Sequence, residues 1–387
     1  MKQDKLVKIV YCISSLAIIR GGQRMLAIKA NYFAKHWGYE IHVITTDEGD
    51  KQPYFPLHPS IQVHNLDINY DKWMPLYKRL FSHFYKRYLY RKRLKKSLNQ
   101  IKPDFTILML RRELGFIMDM NDGSIKIAEN HFERESYLNS ANYSLLRYCP
   151  NFIWKRWKKK QVEYIKKLHR FIVLTNEDAA KWGELDNVTV IPNPLALMPE
   201  SLSSGASKQV IAVGHYGMQK GFDMLIAAWK IIAVKHKDWN LKIFGDGPLR
   251  ETLQRQIDDE GLRDSCKLEM PVPDITSKYV ESSIFVLSSR YEGFGLVIIE
   301  AMACGLPVIS FNCQCGPKEI ITNNEDGILV KTGDIAALAQ QILFLIENEE
   351  VRKRMRTKAL LKIQKYRIEN IAVLWKDLFE KLLEEKK

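Results

Sequence analysis

Short apolar runs alternate with longer helical stretches along most of this chain, the pattern of parallel strands joined by helices. Lys8 to Ser14 reads as a strand, Gly21-Gly22 as a loop, Arg24 to His36 as a helix ended by Gly38, and Glu40 to Thr45 as the next strand. This is a βαβ opening. Further strands are predicted at Phe105 to Met109, Ile125 to Glu129 and Phe171 to Thr175, so the first half is an open α/β sheet. A second series follows the turn Ile191-Pro192-Asn193-Pro194 and the Ser-rich segment Ser201 to Ser207, which reads as an exposed linker. It runs as strand Gln209 to Gly214, helix Phe222 to His236, strand Leu241 to Gly245, helix Leu249 to Glu260 and strand Lys267 to Met270. A strand from Ile284 to Leu287, a compact helix from Leu296 to Cys304 and a helix from Ile335 to Glu347 complete it.

Composition is that of a folded globular protein: 387 residues, 46% hydrophobic and 27% charged, long enough for two domains. Six cysteines do not make a disulfide framework, and Cys313 and Cys315 read as loop thiols because no second Cys or His pair stands at zinc spacing. No signal peptide precedes Lys8, which points to a reducing cytoplasm. The apolar stretch from Ile9 to Ile19 falls short of the roughly 18 to 20 residues that span a bilayer, so no crossing is expected.

Charge changes the picture more. The net charge of +14 is concentrated: Lys72 to Leu98 holds ten Lys or Arg and no acid, and Arg147 to Arg170 holds nine against the single Glu163. Trp73, Tyr77, Leu80, Phe81, Phe84 and Tyr88 recur at three- and four-residue steps within the first stretch. An aromatic helical face beside a cationic flank suits an anionic membrane surface, where each basic group contributes roughly 1 kcal/mol. The alternative is an apolar face packed on the core with solvated charges.

The chemistry concentrates between Ser288 and Ser310, where strand, Gly-rich loop and helix follow one another with Glu292 and Glu300 eight positions apart. Gly293 and Gly295 open the turn, and Gly305 and Pro307 stop the helix. A helix N-terminus carries about half a positive charge and several unpaired N–H donors, which suits a diphosphate without a metal ion. Carboxylates accept hydrogen bonds from sugar and ribose hydroxyls. The string Glu292-Gly293-Phe294-Gly295, continued by Glu300-Ala301-Met302-Ala303, Gly305 and Pro307, resembles the signature of retaining family-4 glycosyltransferases, two glutamates with seven residues between them.

The resemblance implies the GT-B architecture: two Rossmann-like α/β domains facing across a cleft, here 1–195 for the acceptor and 196–370 for the nucleotide sugar, with 371–387 returning to the first domain. It places Glu292 on hydroxyls of the transferred sugar and Glu300 on the ribose, with Gly293, Phe294, Gly295 and the amides of Leu296 and Val297 lining sugar and distal phosphate. Lys220 matches the lysine that clamps the diphosphate, whereas His215 stands where the family has an arginine and is neutral at pH 7 unless a phosphate favours its protonation. Gly21 and Gly22 resemble the glycine loop of the first domain, which lets backbone approach the ligand. His131 aligns with a histidine beside the sugar ring, with a role in holding a hydroxyl and supporting charge near the departing group. Gly245 shapes a loop near the donor, and Val272 is a candidate for holding the base through backbone groups.

The sequence thus reads as a retaining, metal-independent glycosyltransferase. It is expected to move a sugar from a nucleotide diphosphate, a UDP-sugar foremost, to a polyprenyl-diphosphate-linked glycan on the inner face of the cytoplasmic membrane. The resemblance extends to bacterial polyprenyl-diphosphate oligosaccharide and capsule glycosyltransferases such as N-acetylgalactosaminyltransferases. No cofactor is expected, and no dinucleotide fingerprint stands in the opening βαβ unit. A non-hydrolysing nucleotide-sugar epimerase on the same fold is the alternative enzyme. A basic nucleic-acid-binding protein is the alternative from another class, disfavoured because no RNA-binding signature accompanies the charges.

Overall fold

The computed structural model describes residues 6–18, 20–70, 76–110, 112–139, 151–196 and 198–386, and for residues 76–81 the backbone only. The chain divides into two units, residues 1–194 with 368–387 and residues 195–367.

In the first unit the strands are β1 (Lys8–Ile13), β2 (Glu40–Thr45), β3 (Gln62–Asn65), β4 (Phe105–Leu108), β5 (Ile125–Glu129), β6 (Arg170–Val173) and β7 (Val188–Val190). All pair in parallel in the order β3-β2-β1-β4-β5-β6-β7. The helices are α1 (Gly21–Trp37), α2 (Leu76–Ile101), α3 (Arg134–Asn139), α4 (Asn151–Lys166) and α5 (Asn176–Lys181). Helices cover both faces, so the central strands are apolar almost without interruption: β1 buries every residue after Lys8. The edge strand β3 is the opposite, with Gln62, Val63 and Asn65 exposed, which is why its sequence carries no strand signal.

The second unit holds β8 (Gln209–Val213), β9 (Asn240–Phe244), β10 (Cys266–Glu269), β11 (Ile284–Leu287), β12 (Val308–Phe311) and β13 (Gly327–Val330), parallel in the order β10-β9-β8-β11-β12-β13. Its helices are α6 (Phe222–Lys235), α7 (Arg250–Asp259), α8 (Ile275–Val280), α9 (Leu296–Ala303), α10 (Pro317–Ile320), α11 (Ile335–Glu347) and α12 (Glu349–Lys362). The last helix, α13 (Ile368–Glu385), belongs to the first unit. It buries Ile371, Trp375, Phe379 and Leu382 with α1 and the sheet, and the Phe379 ring lies 4.5 Å from that of Phe105.

Each sheet reverses its strand order once, between β1 and β4 and between β8 and β11. In open α/β sheets the carboxyl ends of the strands at such a switch point are where ligands bind.

Two expectations need correction. Gly21 and Gly22 are not a loop: α1 starts at Gly21, and Arg24 N–H donates to the Arg20 carbonyl. Glycine is tolerated in a first turn because the N–H groups there have no helical partner to lose. The segment Ser201 to Ser207 is not simply exposed: Ser203 is fully buried, its hydroxyl donates to the Ser282 carbonyl, and its N–H donates to the Cys304 carbonyl at 2.9 Å. On α2, Tyr90, Leu94 and Leu98 turn to the core while Phe84 and Tyr88 are exposed, so the alternative of an aromatic face packed on the core does not hold for the described part of the stripe. Trp73, the side chains of Tyr77, Leu80 and Phe81, and residues 147–150 of the second basic stretch lie outside the described residues.

The first unit depends on α13. Truncating Trp375 to Ala should destabilise it by about 3–5 kcal/mol, as expected for emptying a fully buried aromatic site. Hydrogen exchange of peptides from α1 and β4 should rise while those from β8 to β13 keep their protection.

Candidate active site

At the carboxyl ends of β8 and β11 two loops are tied together. The β8 loop, Gly214 to Gly221, ends in a 3-10 turn at Met218–Lys220. Gly221 closes that turn at φ 61°, and a Cβ there would stand 2.2 Å from the Ser288 carbonyl oxygen. Only glycine allows this approach. Across the gap, the Ser288 hydroxyl donates to the Lys220 carbonyl at 2.9 Å, Arg290 N–H to the Gln219 carbonyl at 2.7 Å, and the Gln219 side-chain amide to the Tyr291 carbonyl at 3.0 Å. The Arg290 guanidinium meets both Asp223 oxygens at 2.9 and 2.6 Å, and its hydrogen bond and charge hold that carboxyl below its usual range.

This stitching brings Lys220 Nζ to 2.6 Å from Glu292 Oε1, and the Ser289 hydroxyl donates to the same oxygen at 2.6 Å. Glu292 is buried and Lys220 half-buried, so the pair is shielded yet reachable. Glu292 N–H donates to the Gln314 carbonyl at 3.2 Å, anchoring the loop to the segment after β12. Gly295 precedes α9, whose first-turn residues Leu296 and Val297 are half-buried. Their amides lie in the turn that has no helical acceptor. Glu300, one turn in, is buried and accepts from the Tyr279 hydroxyl at 3.4 Å. A positive charge, a carboxylate and a helix N-terminus thus converge at one strand-end.

Other predicted residues occupy varied positions. Gly293 is half-buried in the loop. Phe294 is buried with its ring 5.7 Å from that of Tyr366, so only its backbone is offered to a ligand. Gly245 lets the loop after β9 press on the β8 loop: a Cβ there would stand 1.9 Å from the Gly214 oxygen. His215 is exposed on the β8 loop, and a Cβ on Gly247 would meet its ring at 2.6 Å. Val272 lies half-buried beyond the edge strand β10, away from the strand-end of β8 and β11 in sequence and sheet order.

Gly21, Gly22 and His131 belong to the first unit. Gly22 needs no special backbone here, and a Cβ would make only an ordinary 3.8 Å contact with Met109. His131 follows β5, and its Nε2 lies 3.3 Å from Oε2 of Glu129. Glu129 forms an ion pair with Lys29 of α1, both side chains almost wholly buried, and Lys29 Nζ lies 4.7 Å from the centre of the Trp375 ring. Burial works to raise the Glu129 pKa, but the Lys29 charge and the His131 contact outweigh it and bring it to about 2.

Sequence reasoning missed Ser289, Arg290, Asp223, Tyr279, Lys29 and Glu129. The first three act across the chain, and their roles appear only once β8 and β11 are neighbours. Lys29 is one lysine within the predicted helix Arg24 to His36, and nothing beside it in the chain marks its pairing with Glu129.

The sequence profile of the glycosyl transferases group 1 family matches residues 196–361. An uncharacterized glycosyltransferase of Haemophilus influenzae is 30% identical over 380 residues, covering 96% of this chain and 99% of that protein. A Campylobacter jejuni protein named GalNAc-alpha-(1->4)-GalNAc-alpha-(1->3)-diNAcBac-PP-undecaprenol alpha-1,4-N-acetyl-D-galactosaminyltransferase is 24% identical, covering 96% of this chain and 97% of its own. Among solved structures, S. aureus TarM in complex with fondaparinux, alpha-GlcNAc-glycerol and UDP has a TM-score of 0.76 at 17% identity, covering 97% of this chain and 100% of that one. The chain belongs to this family of glycosyltransferases, and its fold is GT-B.

The Glu129 pKa has a consequence for pH. Because it is depressed in the folded state, its stabilisation is present above the ordinary carboxylate pKa of 4.5 and is lost as pH falls toward about 2. Protection factors of amides around β5, taken against their intrinsic exchange rates at each pH, should fall progressively between about pH 5 and 2. In the Lys29→Met, Glu129→Gln double variant that acid dependence should flatten, and an unchanged profile would contradict the assignment.

Proposed function

We propose that the protein is a retaining glycosyltransferase that takes a sugar from a nucleotide diphosphate, a UDP-sugar foremost, and transfers it to a lipid-linked glycan in bacterial surface polysaccharide synthesis. The observation that carries this reading is the 2.6 Å contact between Lys220 and Glu292 beside the N-terminus of α9. Each side chain partners the other until a ligand enters. Lys220 then turns to the diphosphate and Glu292 to hydroxyls of the sugar, while the amides of Leu296 and Val297 take the distal phosphate. Glu300 holds the ribose, and Gly293 and Gly295 keep the loop free of side chains. His215 offers a ring N–H to the diphosphate from the β8 loop, and Gly245 and Val272 border the nucleotide. Positive charge thus comes from Lys220 and backbone dipoles, and no metal ion is assigned a part. His131 holds a sugar hydroxyl, and Gly21 and Gly22 present the first-turn amides of α1. UDP in the TarM complex supports the choice of base.

The acceptor side rests on charge. Among the described residues no helix is long and apolar enough to cross a membrane. The basic helices α2 and α4 nevertheless expose Phe84, Tyr85, Tyr88 and Phe152 among Lys and Arg. A cationic surface with protruding aromatics fits the anionic inner leaflet of the cytoplasmic membrane. The Campylobacter relative, named for an undecaprenol-linked substrate, supports the same acceptor class.

Thermal shift and nucleotide release across uridine, guanosine and adenosine diphosphate sugars should single out one donor. Glu292→Gln should lower kcat by about 10²- to 10³-fold with nucleotide affinity nearly intact, and Glu300→Gln should weaken nucleotide affinity about tenfold. Equal, negligible effects would sink both roles, and an isomerised donor formed without acceptor would identify an epimerase instead. Separately, the protein should co-sediment with anionic vesicles at low salt, and a Lys92→Glu, Lys95→Glu, Lys96→Glu variant should lose most of that binding. Binding that survives these charge reversals would remove the membrane surface from the reading.

A further inference from the structure

We infer that Glu129, held by Lys29, is a positioning residue that acts through His131 by fixing which ring nitrogen carries the proton. This rests on the proposed role of His131 at the sugar.

The pair is costly where it stands. Glu129 continues the face of β5 that carries Ile127, and Ile127 lies across β4 from Tyr11 of β1. That face belongs to the apolar cluster of Tyr11, Phe33, Ile107, Ile127 and Trp375. The side chains of Lys29 and Glu129 are 2% and 1% exposed. Two charges taken out of water in such surroundings contribute little net stability, and an apolar pair of similar volume would do as well or better. Their presence therefore calls for something other than stability.

The geometry supplies it. Lys29 is fixed by α1 and by the Trp375 ring of α13, so it pins one Glu129 oxygen in place. That same oxygen, Oε2, faces His131 Nε2 at 3.3 Å. Burial lowers the Lys29 pKa and the Glu129 charge opposes that, so the pair stays charged because each partner compensates the other. Both Glu129 Oε1 and His131 Nε2 are buried and lack a well-formed hydrogen bond among the described residues. A small rotation of the imidazole, whose side chain is 13% exposed, completes an Nε2–H···Oε2 bond. A carboxylate can only accept, so it selects the tautomer with the proton on Nε2. Nδ1 is then the ring's acceptor, able to receive a hydrogen bond from a sugar hydroxyl. Tyr11 and Lys29 are the other ionisable groups facing Glu129, from β1 and α1.

The test uses the full chain with 15N-labelled histidine. His131 is assigned among the nine histidines by the signal lost in His131→Gln. The parent protein should show the Nε2–H pattern. Glu129→Gln should shift it toward Nδ1–H or a mixture, and since this variant leaves Lys29 buried and unpaired, the neutral Lys29→Met, Glu129→Gln double variant keeps the test open if the single one does not fold. With the donor found by screening, kcat should fall about 10- to 100-fold in the double variant, the range seen for groups that orient a functional side chain, while donor KM changes little. Adding the Lys29→Met, Glu129→Gln pair to His131→Ala should lower kcat no further. An Nε2–H pattern that survives removal of the pair, or losses that multiply with His131→Ala, would overturn the inference. If no donor supports transfer, the functional reading fails, but the tautomer measurement still decides the role of Glu129.

Discussion

A lysine and a glutamate 72 positions apart meet at 2.6 Å because parallel strands deliver consecutive loops to one edge of a sheet. Neither residue would hold the other without β8 and β11 being neighbours at the point where the strand order reverses. The long Lys220 side chain is confined by its surroundings: its aliphatic stem runs 3.0 Å from where a Cβ on Gly214 would stand. Its turn is closed by Gly221 and tied to the opposite loop through Ser288, Arg290 and Gln219. Preorganisation of this kind lets charge meet charge in a ligand without rearrangement of the backbone.

The two units carry buried charge in different ways. In the second, Lys220 and Glu292 sit at a partly open strand-end, where each can exchange its partner for a ligand group. In the first, Lys29 and Glu129 are sealed between α1, β5 and α13, and the contact of Glu129 with His131 leads outward. The C-terminal helix is therefore more than a cover: through Trp375 it helps to place the cation that fixes Glu129.

Much of this was legible in the letters. The central strands announce themselves because burial on both faces demands near-continuous apolar runs, and β5 (Ile125–Glu129) and α11 (Ile335–Glu347) fall where the pattern puts them. Glycine misled at Gly21 and Gly22, where it starts a helix instead of interrupting one. Short edge strands such as β3 and β7 were silent, since a half-solvated strand of three or four residues has no apolar run to display. In α2 the spacing shows that Phe84 and Tyr88 share a face, but only the structure shows that Tyr90, Leu94 and Leu98 take the core while those aromatics stay exposed.

By itself the sequence determined the two-sheet α/β plan, the strand-loop-helix unit with Glu292 and Glu300, and the concentration of positive charge in α2 and α4, because periodicity, turn chemistry and charge are local properties. Only the tertiary structure decided that Lys220 pairs with Glu292, that Arg290 clamps Asp223, and that Lys29, Glu129 and Trp375 stand behind His131. Those contacts join residues tens to hundreds of positions apart, and their distances follow from strand order and helix packing, which no local pattern encodes.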